Sequence, residues 1–202
     1  MMKRDGLNVS RETLQELEAF AMLVEKWTAK INLVSKQSLA DLWDRHILDS
    51  AQLFELAPQA GHWVDLGSGG GFPAIVVALL SKGAGADQQF TLVESDQRKA
   101  TFLRTAIREL GLRATVISER IEKVEPLAAD VLTARALAGL STLCDFADRH
   151  LDPEGVALFL KGGQWQQEDK SAREMWSYSC EAVKSKSHPD AAILKIKDIA
   201  RV

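Results

Sequence analysis

Apolar positions recur at helical spacing over residues 10–30, where Leu14, Leu17, Phe20, Ala21 and Val24 stand among charged residues, so this stretch predicts an amphipathic helix. Ser10 is its N-cap, with Thr13 where a capping box prefers Glu. Ile31-Asn32-Leu33-Val34 breaks the pattern. A second helix over 38–57 places Leu39, Leu42, Trp43, Ile47, Ala51 and Phe54 along one side, and Pro58 and Gly61 end it.

Beyond Gly61 strands and helices alternate. Residues 62–66 form a short strand that runs into a glycine-rich loop. Pro73 then suits a first helical turn, which 74–80 continue. Further strands are predicted at 90–94, 114–118, 131–134 and 156–160, with helices at 96–110 and 137–150. Asp152-Pro153-Glu154-Gly155 reads as a turn. Two late extended runs, 177–184 and 191–199, flank Ser187-His188-Pro189-Asp190 and fit a closing hairpin. Apolar strands alternating with helices imply an α/β fold, its mostly parallel sheet covered on both faces. Residues 1–58 are expected as a helical extension packed on a core domain of 59–202. Ligands of such sheets bind beyond the strand C-termini, where the strand order reverses.

Composition narrows the class. The chain has 202 residues, 46% of them apolar, which suits one domain with a sizeable core and argues against disorder. No apolar run approaches a membrane span, and Met1-Met2-Lys3-Arg4-Asp5 does not open a signal peptide, so a cytoplasmic protein is expected. Cys144 and Cys180 lack metal-type spacing and read as buried small residues, and no metal is expected. The net charge of −3 gives no whole-chain nucleic-acid signal, although residues 95–123 hold seven Arg or Lys against four acids.

The candidate chemistry begins at Asp65-Leu66-Gly67-Ser68-Gly69-Gly70-Gly71-Phe72. Gly67, Gly69 and Gly71, between a strand and a helix, permit positive φ and close backbone approach to a ligand. A dinucleotide loop faces a pyrophosphate, whereas S-adenosylmethionine carries sulfonium and ammonium groups. The carboxylate of Asp65 suits the latter by charge. Glu94, at the end of the second predicted sheet strand, is placed to accept from ribose hydroxyls, which NAD would satisfy equally. Ile121 could wall an adenine, with Glu122 at its polar edge.

Arg45-His46-Ile47-Leu48-Asp49-Ser50 and the glycine loop through Pro73, with Phe102-Leu103, Arg120-Ile121-Glu122, Thr133-Ala134-Arg135-Ala136 and Leu160-Lys161-Gly162, closely resemble the bacterial small-subunit ribosomal RNA guanine-N7 methyltransferases. This family is known as RsmG and formerly as glucose-inhibited division protein B. The resemblance spans essentially the whole chain. It implies a Rossmann-like methyltransferase fold with a seven-stranded sheet, S-adenosylmethionine as cofactor, and 16S ribosomal RNA, within a small-subunit particle or free, as partner. It also implies that Gly67, Phe72, Ile121 and Glu122 line the cofactor, that Arg135 contacts cofactor or RNA, and that Lys161 faces the RNA or the reacting centre. Ala74 departs from the Gly that many members carry after the proline, and Arg98-Lys99 reverses the family's Lys-Arg order.

Guanine N7 has an in-plane lone pair and no proton, so attack on a sulfonium methyl needs no general base. His46 is therefore expected to orient its helix, through Asp49 or Asp44, and Trp165 is the Trp nearest a plausible RNA surface. Two other enzyme classes share the cofactor features: an NAD-dependent oxidoreductase, against which Asp65 speaks, and a methyltransferase acting on protein or small molecules. A silent RNA-binding factor on the same fold is disfavoured by the retained Asp65, glycines and Glu94.

Overall fold

The computed structural model describes residues 2–4, 7–57 and 59–202, so the predicted helix stop at Pro58 lies outside the described residues. A small antiparallel pair, β1 (Met2–Arg4) and β2 (Leu7–Val9), precedes α1 (Arg11–Ile31). The Ser10 side chain accepts from the Thr13 amide at 3.1 Å, and Asn32 ends α1 in the left-handed conformation at φ 51°.

The single helix expected over 38–57 is instead three pieces: α2 (Lys36–Ala40), a π-helical stretch (Trp43–Leu48) and α3 (Asp49–Leu56). The wider π turn rephases the face, so that His46 and Ile47 are both buried while Ala51 and Leu53 of α3 still enter the core. A 3.6-residue pattern cannot display that shift.

The sheet follows the predicted alternation: β3 (His62–Leu66), α4 (Ala74–Gly83), β4 (Gln89–Val93), α5 (Gln97–Glu109) and β5 (Ala114–Ile117). Then come β6 (Ala129–Arg135), α6 (Leu140–His150), β7 (Leu151–Lys161), α7 (Trp165–Ala172), and the hairpin β8 (Trp176–Lys184) and β9 (Ala192–Arg201). Among the described residues these strands form a seven-stranded sheet of order β5-β4-β3-β6-β7-β9-β8, parallel from β5 through β7 and antiparallel at β9. The predicted turn at 152–155 lies within β7. Leu151 pairs with Ala129 and Val156 with Val131, so the Pro-containing segment bulges out between two paired ends. Helix α7 was not predicted; its Trp165-Gln166-Gln167-Glu168-Asp169-Lys170 run has almost no apolar stripe.

Strand parity decides which helices each side chain meets. Trp63, Val131, Leu158 and Leu160 join the core that holds Leu17 and Phe20 of α1, Leu53 of α3 and Leu79 of α4. Val64, Leu132, Ala134, Ala157 and Phe159 join the opposite core, with Leu143 and Phe146 of α6. By the same alternation Asp65, Thr133 and Arg135 point to the first face and Lys161 to the second. The order reverses between β3 and β6, which places a crevice at their C-terminal ends.

Candidate functional site

The crevice has a backbone-built side and a side-chain-built side. On the first, the loop after β3 holds Gly67, Gly69 and Gly71 at φ of 66°, 50° and 83°. Their reasons for being glycine differ. A Cβ on Gly71 would meet Ile75 at 2.7 Å and Phe20 at 3.1 Å, so packing demands glycine there, whereas one on Gly67 would meet only the movable tip of Leu137 at 2.6 Å and its glycine answers to the positive φ. A Cβ on Gly69 would have nothing nearer than the Gly67 carbonyl at 3.7 Å, which leaves its Cα side open to a ligand.

Glu94 lies just past β4 and is buried. One carboxylate oxygen accepts from the Gly69 amide at 2.9 Å and the other from the Asp96 amide at 2.8 Å. It thus braces the loop while keeping further lone pairs for hydroxyl donors. Asp65 is more deeply buried. Its Oδ1 accepts from the Thr133 hydroxyl at 2.7 Å, and its Oδ2 is buried without a hydrogen-bond partner. Burial raises the Asp65 pKa to about 6, against the opposing pull of the Thr133 hydrogen bond and of the Arg135 charge. An orphaned buried carboxylate oxygen at the end of β3, from which the glycine loop starts, suits a ligand bearing positive charge and fits the cationic end of S-adenosylmethionine. Ile121, in a short 3-10 turn after β5, is buried in one cluster with Leu66 and Val93, consistent with an apolar wall, while Glu122 is exposed. Ala74 is buried in the same core cluster as Phe72.

On the second side stands Arg135, the last residue of β6. Ala136 follows it at φ 50°, an unusual conformation for a residue with a Cβ. The guanidinium donates to the Arg45 carbonyl at 3.2 Å and to His46 Nδ1, lies 3.7 Å from Asp49, and sits over the Phe72 ring at 5.6 Å. His46 packs on the same ring with centroids 5.0 Å apart. Burial, then the charges of Arg135 and Arg45, lower the His46 pKa to about 3. His46 is therefore neutral, and because Nδ1 accepts from Arg135 its proton is on Nε2, which has no partner among the described residues. Among the described residues the His46 ring meets the sheet through Arg135, and Asp49 pairs with that guanidinium rather than with the imidazole.

A cavity of about 530 Å³ opens here, lined by Arg45, His46, Asp49, Arg135, Lys161 and the 185–192 end of the hairpin. The glycine loop lies outside it, across the Phe72–His46–Arg135 stack. Lys161 reaches the cavity rim from the other sheet face. Its ammonium donates to the Ala138 carbonyl at 2.9 Å and pairs with Glu168 at 2.6 Å. The same Glu168 oxygen accepts from the Leu140 amide at 2.9 Å, so this lysine is tied to the start of α6. Arg135 and Lys161, paired by the sequence reading, belong to separate networks.

Sequence reasoning passed over Glu168, Gln52, Ser185 and Ser187. Glu168 lies in the unpredicted α7. Ser187 showed only as turn composition, Ser185 fell between the named segments, and nothing in Gln52 marks it as reaching a loop more than a hundred residues away.

Comparison with known proteins gives a consistent picture. The family model described as rRNA small subunit methyltransferase G matches residues 13–194. The chain is 55% identical over 196 residues to a ribosomal RNA small subunit methyltransferase G from Ruegeria pomeroyi, covering 97% of this chain and 96% of that protein. Its counterpart from Gluconobacter oxydans is 48% identical, over 96% and 98% of the two chains. Among solved structures, a SAM-dependent methyltransferase from Aquifex aeolicus superposes with TM-score 0.60 at 12% identity, over 87% of this chain and 97% of that one. A TehB-like SAM-dependent methyltransferase from Corynebacterium glutamicum gives 0.58 at 15% identity, over 91% and 98%. At such identities these likenesses concern the fold.

Proposed function

The chain belongs to the rRNA small subunit methyltransferase G family and is an S-adenosylmethionine-dependent enzyme, and on that premise we propose that its crevice methylates N7 of a guanine in 16S ribosomal RNA by direct transfer. The observation that carries this reading is the position of Arg135. It touches the ring of the cofactor-loop residue Phe72 on one side and lines the cavity on the other.

The cofactor supplies an electrophilic sulfonium methyl when bound. Gly67, Gly69, Gly71 and Phe72 would hold it, with Asp65 toward its cationic end, Glu94 toward the ribose hydroxyls, and Ile121 and Glu122 toward the adenine. Arg135 keeps N–H groups beyond those given to Arg45 and His46, and its fork matches guanine O6 or a phosphate. Orientation of two held reactants can supply about 7–11 kcal/mol of a barrier. With a pKa of about 3, His46 is a poor proton acceptor, which suits a nucleophile that has no proton to lose. Methylated guanine gains positive charge. Two of the three cations that line the cavity are matched, Arg135 by Asp49 and Lys161 by Glu168, which limits the crevice's opposition to that gain.

The acidic net charge of −3 supports a target presented within a small-subunit particle, since long-range attraction to bare RNA is weak. Incubation with methyl-labelled S-adenosylmethionine and unmodified small-subunit RNA, bare and assembled, tests both parts. Label at guanine N7, faster on the particle, is expected. Label confined to protein or small molecules excludes the RNA reading, and faster labelling of bare RNA excludes the particle.

A further inference from the structure

Asp49 at the start of α3 faces two ways. Its Oδ2 lies 3.7 Å from Arg135, while its Oδ1 accepts from the hydroxyls of Ser185 at 3.1 Å and Ser187 at 2.6 Å. Those serines open the loop between β8 and β9, which walls the cavity on the side away from the glycine loop. The grip continues along α3. Gln52 Nε2 donates to Asp49 Oδ1 at 3.3 Å, and Gln52 Oε1 accepts from the Lys186 amide at 2.6 Å. Asp49 and Gln52, three residues apart, share one helix face. Asp49 is thus the one described carboxylate that bridges Arg135 to this loop.

We propose that Asp49 is a positioning residue of the transfer reaction, holding Arg135 and the 185–187 loop as one unit so that the outer wall of the cavity and the Arg135 fork are set together. The proposal rests on the functional reading above. Arg135 already gives hydrogen bonds to two neutral acceptors, the Arg45 carbonyl and His46 Nδ1, and neither of them touches the loop. The pair with Asp49 adds the charge that balances a guanidinium held in a largely buried place, where a missing counter-charge is costly. The serine hydroxyls hold the same carboxylate in orientation, so release of the loop frees Asp49 and, through it, Arg135.

The two arms can be cut separately in the full chain. Asp49→Asn keeps an oxygen for the serines and removes the charge facing Arg135. The Ser185→Ala, Ser187→Ala double variant keeps the charge and removes the loop's direct hold on it, leaving only the indirect link through Gln52. With saturating RNA, Asp49→Asn is expected to lower kcat about tenfold. The double serine variant should lower it about threefold and raise KM for RNA, and the combined triple variant should be no slower than Asp49→Asn. Affinity for S-adenosylmethionine, read by calorimetry, should stay within about twofold throughout. A structural role alone would lower melting temperature and leave kcat as in the wild type. By reciprocity, Arg135→Ala should quicken amide hydrogen exchange at 185–188 severalfold, a readout that needs no methyl acceptor.

Unchanged kcat in the double serine variant, additive losses in the triple variant, or unchanged exchange in Arg135→Ala each overturns the proposal and leaves the functional reading standing. Failure of the wild type to methylate small-subunit RNA overturns that reading, and with it the catalytic part of this one.

Discussion

The two sides of the crevice are built on different principles. The side proposed for the cofactor is a contiguous run, residues 65–72, shaped by its own backbone, with Glu94 reaching in to fasten the Gly69 amide. The opposite side is assembled from the π-helical turn at 43–48, the start of α3, the end of β6 and the β8–β9 loop, joined by side chains whose partners lie about 90 to 138 positions apart. A backbone-built cradle tolerates little change in its own residues. A side-chain-built wall can change by altering a few contacts, which suits the side proposed to meet the RNA.

The sharpest way to break the cofactor side is Gly71→Val. Positive φ and the Ile75 and Phe20 side chains beside its Cα should together cost about 3 kcal/mol or more, read as a fall of roughly 6–12 °C in Tm. Gly69→Ala has the φ cost and no clash, so about 1 kcal/mol of stability should be lost while cofactor affinity falls far more. Unchanged cofactor affinity in Gly69→Ala would show that the open side of Gly69 is not a ligand surface.

On the opposite side Arg135→Ala should reduce methyl transfer about 100-fold, the size expected for a charge-assisted contact to the target, while calorimetric cofactor affinity changes severalfold at most. A variant that loses cofactor binding in proportion to transfer would move Arg135 to the cofactor side.

The next effect separates the sides by pH. The Asp65 pKa without ligand is raised to about 6, so its acid form is favoured in the folded chain and the stability associated with it grows as pH falls from about 6 toward the ordinary carboxylate range. A cationic ligand needs the ionised form. Affinity for S-adenosylmethionine should therefore be level above pH 7 and drop by up to about tenfold per unit below pH 6. Asp65→Asn should bind more weakly at pH 8 and lose the dependence. Calorimetry from pH 5 to 8 checks both, and a pH-independent wild type would remove Asp65 from the cofactor's charge. The smallest effect is expected from Ala136→Gly. Relief of the left-handed conformation offsets the freedom gained by the unfolded chain, so stability should rise by at most about 1 kcal/mol, seen as 2–4 °C in Tm.

The glycine loop and its brace were legible in the sequence because strand, glycines and the acid after β4 are local signals at fixed spacing. The wider fold was legible for the same reason, since β3 to β7 and their helices announce themselves by period. Four features were not. The antiparallel β1–β2 pair falls in a stretch expected only as part of a helical extension. The π-helical turn hides in a helical pattern that is one residue out of phase. The 152–155 segment carries every residue of a turn, and only its pairing on both flanks with β6 makes it part of a strand. Helix α7 lacks an apolar stripe and is tied in by Glu168, which grips Lys161 and the Leu140 amide.

By itself the sequence determined the α/β class, the glycine cradle, Asp65, Glu94 and the family motifs, including Arg135 and Lys161. Tertiary structure alone decided what those two cations do. The side-chain period of two sends Arg135 to the face covered by α3 and Lys161 to the face covered by α6 and α7. Which helix covers a face is a matter of chain path, and no local pattern records it.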